Sequence, residues 1–136
     1  MSVTRKALLW ASTNAWIREN AMRTGFVRRS VSKFMPGEKV EDAIEAAKAL
    51  KASRLGTILT RLGENITHIG EADEVCEHYL KVIDLITAAG IDSQISVKPT
   101  QLGYDQDPDV CVKHCLRLID RCEQTHTFFW LDMESS

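Results

Sequence analysis

Apolar side chains along this chain follow two rhythms. Val40, Ile44, Ala47 and Leu50 recur through an Ala-rich run, Val75, Tyr79, Val82 and Ile86 through 71–89, and Cys111, Cys115, Leu118 and Cys122 through 108–123. Steps of three and four return a residue to one face of a helix, so three helices are predicted. Between them lie shorter runs of another kind. Thr57–Leu62 is β-branched at its start, Gln94–Lys98 alternates, and Thr127–Asp132 is aromatic-rich, which predicts three strands. The punctuation agrees with this division. Met35-Pro36-Gly37-Glu38 is a turn, Arg54-Leu55-Gly56 predicts a helix closed by glycine, and Gly63-Glu64-Asn65 ends the first strand. Ala89-Gly90 stops the second helix, Pro99 ends the second strand, and Pro108 opens the third helix. Thr4 to Asn20 and a stretch to about Lys33, broken near Thr24-Gly25, predict short leading helices.

Strands alternating with helices, joined by connections long enough for crossovers, predict an α/β fold with a parallel sheet. Such sheets are normally covered on both faces, yet the sequence stops four residues after Asp132, with no helix after the third strand. Two architectures meet that constraint: a small open α/β domain with its edge covered by a partner, or the opening portion of a larger closed sheet such as a (β/α)8 barrel, which needs about 250 residues. In either, functional groups collect at the C-terminal ends of the strands. Charge stands there each time: Glu64 after the first strand, Lys98 at the end of the second, Asp132 and Glu134 after the third. Ordinary solvated strand ends would also carry charge. Lys98 says most, because an ammonium between an apolar strand and Pro99 must be solvated by a cavity or paired, and so suits an anionic substrate.

Length and charge narrow the function classes. At 136 residues, 44% hydrophobic and 26% charged, the chain is expected to form one globular domain or part of one. A net charge of −2 supplies no general field for nucleic acid. Residues 1–34 nevertheless carry seven basic residues against Glu19, a local +6 that leaves −8 for the remainder. Such an arm touches acidic lipid, phosphate or the chain's own acidic surface. No apolar stretch near the start approaches the roughly 20 residues of a spanning helix, so a cytoplasmic chain is expected, with a peripheral place at the inner membrane face as an option. Cys111, Cys115 and Cys122 share a helical face and read as reduced core thiols rather than as a metal site, which needs four converging ligands. The four histidines are scattered and are assigned no role.

The motifs taken together point to a family. Met35-Pro36-Gly37-Glu38 before an Ala-rich helix, Leu62-Gly63-Glu64-Asn65, Ile95-Ser96-Val97-Lys98-Pro99-Thr100-Gln101-Leu102-Gly103 and Leu131-Asp132-Met133-Glu134 resemble, in order and spacing, the first half of proline dehydrogenase. The resemblance implies the first three strands and helices of a (β/α)8 barrel, incomplete here, with a leading helical arm over 1–35 and β/α units over 36–136. It also implies FAD at the barrel mouth, oxidation of L-proline to pyrroline-5-carboxylate, and a quinone as electron acceptor. Residue by residue, Lys98 matches the lysine that faces the flavin and pairs with the proline carboxylate. Asp132 matches an active-site aspartate, Met133 the neighbour whose backbone approaches FAD, and Glu64 a glutamate that holds a substrate-binding arginine. Thr60 stands where large bifunctional members have aspartate, which resembles the shorter monofunctional forms.

The family's later elements, including the Arg-Arg pair for the carboxylate and most flavin contacts, have no counterpart in this sequence. Activity is therefore expected only with a C-terminal half supplied in trans. Two other readings remain: another FAD-linked barrel oxidoreductase, and a non-catalytic binding or regulatory protein that reuses the fold fragment.

Overall fold

The computed structural model describes residues 39–63 and 66–133. The expected leading helices, with Glu64, Asn65 and Glu134, lie outside them. Residues from Val40 onward form one compact unit, in the order α1 (Val40–Ala52), β1 (Thr57–Leu59), α2 (Ile69–Ala89), β2 (Ser93–Val97), a 3₁₀ turn (Pro99–Leu102), α3 (Pro108–Thr125) and β3 (Phe129–Leu131). The three strands make one parallel sheet in the order β1-β2-β3, with Thr57 opposite Ser93, Ile95 opposite Leu59 and Phe129, and Val97 opposite Leu131.

Some helix boundaries follow the sequence and others do not: α3 closes on a left-handed His126, φ 57°, beyond the end expected near Glu123. Pro108 occupies the first turn of α3, and Asp107 caps that turn by accepting from the amides of Asp109 and Val110. Gly90 closes α2 with φ 59°. At the end of α1 the left-handed residue is Arg54, φ 60°, and not Gly56. The chain reverses two residues earlier than expected because the Arg54 and Leu55 amides donate to the last helical carbonyls, those of Lys51 and Leu50.

One core holds the unit together. Ile44 and Ala47 of α1, Val75, Cys76, Tyr79, Val82, Ile83 and Ile86 of α2, Ile95 and Val97 of β2, and Cys111, Leu118 and Cys122 of α3 are buried in a single cluster. Leu50, the fourth member of the α1 stripe, stays 40% exposed. Helices α2 and α3 run in the same direction, pinned by Asp73 to His114, Glu77 to Arg117 and Asp84 to Arg121. All three helices contribute to the cluster, and the two that join neighbouring parallel strands, α2 and α3, lie on one face of the sheet, as same-handed crossovers require.

Among the described residues, no helix packs on the other face. Strand alternation gives it Ile58, Gln94, Ser96, Phe128 and Trp130. Ile58 and Phe128 are each 56% exposed and Trp130 47%. Phe128 and Trp130 pack ring to ring at 4.8 Å, and the Trp130 indole N–H donates to Gln94 Oε1 at 2.6 Å. Phe129, on the opposite side of the strand, packs against the core.

Candidate functional site

Parallel strands end together, so the residues that follow them share one rim. Lys98 follows β2, half-buried, with extended backbone (φ −92°, ψ 136°) just before the proline of the 3₁₀ turn. Asp132 follows β3. Since Val97 faces Leu131, Lys98 and Asp132 are the next residues of adjacent strands, and the Asp132 amide donates to the Val97 carbonyl at 2.9 Å. An ammonium-bearing and a carboxylate-bearing residue thus lie side by side in the backbone at one end of the sheet. Met133, beyond Asp132, is exposed at that same end. Thr60 directly follows β1 and is exposed. Glu64 belongs to the two residues of that loop outside the described part of the chain.

What shapes this rim is a pair of buried polar residues that sequence reasoning passed over. Tyr79 on α2 and Gln101 in the 3₁₀ turn are each 1% exposed. The Tyr79 phenol accepts from the Arg61 amide at 2.9 Å and donates to the Ser96 carbonyl at 3.0 Å. Gln101 Nε2 donates to the carbonyls of Arg61, at 2.9 Å, and Gly63, while its Oε1 accepts from the Lys98 amide at 3.3 Å. Burial pushes the Tyr79 phenol upward in pKa, and bonds from the Arg61 amide and the Thr60 hydroxyl partly offset it. These contacts explain why β1 stops at Leu59 rather than at Leu62: beyond Leu59 side chains replace the ladder. The signal lay in the sequence as a glutamine beside the apolar Leu102-Gly103 and a tyrosine within an otherwise aliphatic stripe.

His114 is also buried. Its Nδ1 lies 3.1 Å from the Leu102 carbonyl and its Nε2 3.0 Å from Asp73 Oδ1, so it ties α3 to the 3₁₀ turn and to α2. Thr100 Oγ1, in the turn that follows Lys98, is buried with no hydrogen-bond partner among the described residues. The four thiols are free, and burial pushes Cys115 up to about 12 and Cys122 up to about 11. Among the described residues no three His, Cys, Asp or Glu side chains converge as metal ligands, and no helix is long and apolar enough to cross a membrane.

No family model matches the chain. Individual relatives do. Proline dehydrogenase 1 of Bacillus subtilis subsp. natto is 28% identical over 130 residues, covering 96% of this chain and 43% of that protein. Proline dehydrogenase of Deinococcus radiodurans is 29% identical over 133 residues, covering 96% and 42%. Proline dehydrogenase 2 of Bacillus subtilis (strain 168) is 25% identical over 132 residues, covering 97% and 43%. Along almost its whole length, then, this chain is similar to the proline dehydrogenases, and it spans less than half the length of these relatives.

Proposed function

We propose that this chain is the N-terminal portion of a flavin-dependent proline dehydrogenase: a helical arm over 1–35, then the first β/α units of a (β/α)8 barrel over 36–136. The observation that carries the reading is the side-by-side placement of Lys98 and Asp132 at the C-terminal rim of a parallel sheet in a chain similar throughout to proline dehydrogenases. The open sheet face is the side that would line the barrel. The open edge of β3 is where the next strand would pair.

The donor set at the rim fits the redox ring of a flavin rather than its phosphates. Among the described residues it holds the Lys98 ammonium, the Asp132 carboxylate, the accessible strand end at Met133 and a Thr100 hydroxyl without a partner, whereas the first amides of α3 are already taken by Asp107. When bound there, a flavin supplies a two-electron acceptor for oxidation of a substrate C–H bond. In this role Lys98 pairs with the carboxylate of L-proline, and its charge favours negative charge that develops on the acceptor. Asp132 orients Lys98 and the substrate ammonium, Thr60 lines the substrate side, and the Met133 backbone borders the ring. Glu64 holds a cation from the later part of the barrel. Fixing a small zwitterion in this way supplies the orientation that oxidation requires. A quinone would be the final electron acceptor.

The test is complementation. The full chain is mixed with a polypeptide carrying the remaining β/α units of the Deinococcus radiodurans relative, with FAD, and flavin bleaching by L-proline is followed without oxygen. Bleaching that Lys98→Met abolishes supports the proposal, and absence of bleaching at every mixing ratio overturns it. The exposed sheet face and free edge favour one second reading, a non-catalytic module that binds a partner there. A stable, monomeric, flavin-free chain that unfolds cooperatively would point to that reading instead.

A further inference from the structure

The hydrogen-bond ladder between β1 and β2 ends at the pair Leu59 and Ile95, yet Lys98 stands three residues beyond Ile95. From that point outward two buried side chains hold the strand ends in relation. We infer that Tyr79 and Gln101 are positioning residues: they lock the loop at 61–63 and the backbone of Lys98 into one arrangement and so set where the Lys98 ammonium meets an anionic ligand. On the reading above, on which this part of the inference rests, that ligand is the carboxylate of a small amino acid.

The bonding pattern carries the argument. Arg61 is held from both sides, its N–H by the Tyr79 oxygen and its carbonyl by Gln101 Nε2, and the Gly63 carbonyl by the same amide group. Gly63 itself has φ +104°, a backbone conformation open to glycine that aims this carbonyl inward. The other end of the Gln101 amide takes the Lys98 N–H, and the Tyr79 phenol reaches the Ser96 carbonyl two residues before Lys98. Pro99 fixes the backbone on the far side of Lys98. Because both clasp residues are excluded from water, a bond left unmade there costs the full desolvation of its group, so one arrangement dominates.

The test compares the full chain with two variants by amide hydrogen exchange. Gln101→Met keeps the side-chain length and removes every polar contact; exchange at Lys98, which loses its acceptor, and at Arg61, whose N–H stays on Tyr79 but whose loop is released, is expected to rise about tenfold. Gln101→Glu keeps an acceptor for the Lys98 N–H but turns an acceptor toward two carbonyls, so Arg61 accelerates while Lys98 stays protected. Ile83 and Ile95, in the core, keep their rates in both. Acylation of Lys98, measured against exposed Lys113 in the same molecule, changes in both variants; a role confined to fold stability would leave that ratio constant. Unchanged exchange at Lys98 and Arg61 with an unchanged ratio in Gln101→Met overturns the inference. Should the core amides of that variant also accelerate, Tyr79→Phe repeats the comparison: faster Arg61 exchange supports the clasp, and wild-type Arg61 exchange overturns it. These measurements use neither flavin nor proline, so a failed complementation would sink the enzyme reading and leave the clasp to be judged by itself.

Discussion

A single side chain, His114, joins three elements through its two nitrogens, and its removal isolates a buried acceptor. In His114→Leu the apolar volume is retained but the Leu102 carbonyl loses its partner, which is expected to cost about 1–3 kcal/mol, read as a lower urea midpoint with an unchanged denaturant slope. Asp73, by contrast, is largely exposed, so Asp73→Asn is expected to cost much less than that. The thiols make a second prediction, whose sign follows from linkage. Burial lifts Cys122 from the ordinary value of 9.0 to about 11, so the unfolded chain releases its proton first. The stability associated with the neutral thiol is complete below 9.0 and is lost as pH rises toward about 11. Urea midpoints measured across that window are expected to decline, and the decline is expected to be shallower in Cys122→Ala. The same burial leaves Cys115 and Cys122 slow toward alkylating reagents at neutral pH until the chain unfolds.

Among the elements, the 3₁₀ turn is the most constrained by its surroundings. Gly103 ends it with φ +97°, and a Cβ there would sit 2.8 Å from Ile69 Cδ1 and 3.3 Å from Ala72 Cβ. Gly103→Ala is therefore penalised chiefly by its left-handed backbone, since the end of the Ile69 side chain can move away from the new Cβ, and a loss of about 1–2 kcal/mol is expected. Gly56→Ala is the control: nothing lies within 4 Å and φ is not positive, so thermal unfolding should move little. This turn also marks how far the sequence could be read. Helix stripes, the Pro108 and Gly90 boundaries and the parallel order were legible because each is a local preference repeated by packing. Local preference did not reveal that β1 would shorten to three residues. The agents are Tyr79 and Gln101, 18 and 40 residues from Arg61, and a buried glutamine has no periodic signature. The shift of the α1 terminus from Gly56 to Arg54 has a similar origin, since the last carbonyls of the helix selected the reversal point over the residue best suited to it. Lys98 and Asp132 were legible as rim residues from strand order alone, and their adjacency needed only the register.

For the unit from Val40 onward, the asymmetry of the sheet has consequences of its own. Its helix face is sealed by one continuous core, while the opposite face presents Ile58, Phe128 and Trp130 and, among the described residues, no further strand pairs with β3. Helix α3 adds a second apolar surface, with Val112, Leu116 and Ile119 exposed at helical spacing along the flank of its core-facing stripe. Apolar area on two sides and an uncovered strand edge are features that water-facing surfaces normally avoid. The full chain by itself is therefore expected to associate as its concentration rises and to bind a dye that reports exposed apolar surface while retaining its helical circular dichroism. Leu116→Lys combined with Trp130→Lys should lower both signals. Neither side chain is part of the buried cluster, so the free energy of unfolding should change by less than about 1 kcal/mol. A light-scattering titration decides it: association that persists undiminished in the double variant would show that these surfaces are not what holds the copies together. Addition of the remaining β/α units should suppress the same signals in the wild-type chain, because those units would cover the edge of β3 and the outer stripe of α3 at once. Dye binding that is unaffected by their addition would count against a closed barrel, independently of any flavin chemistry.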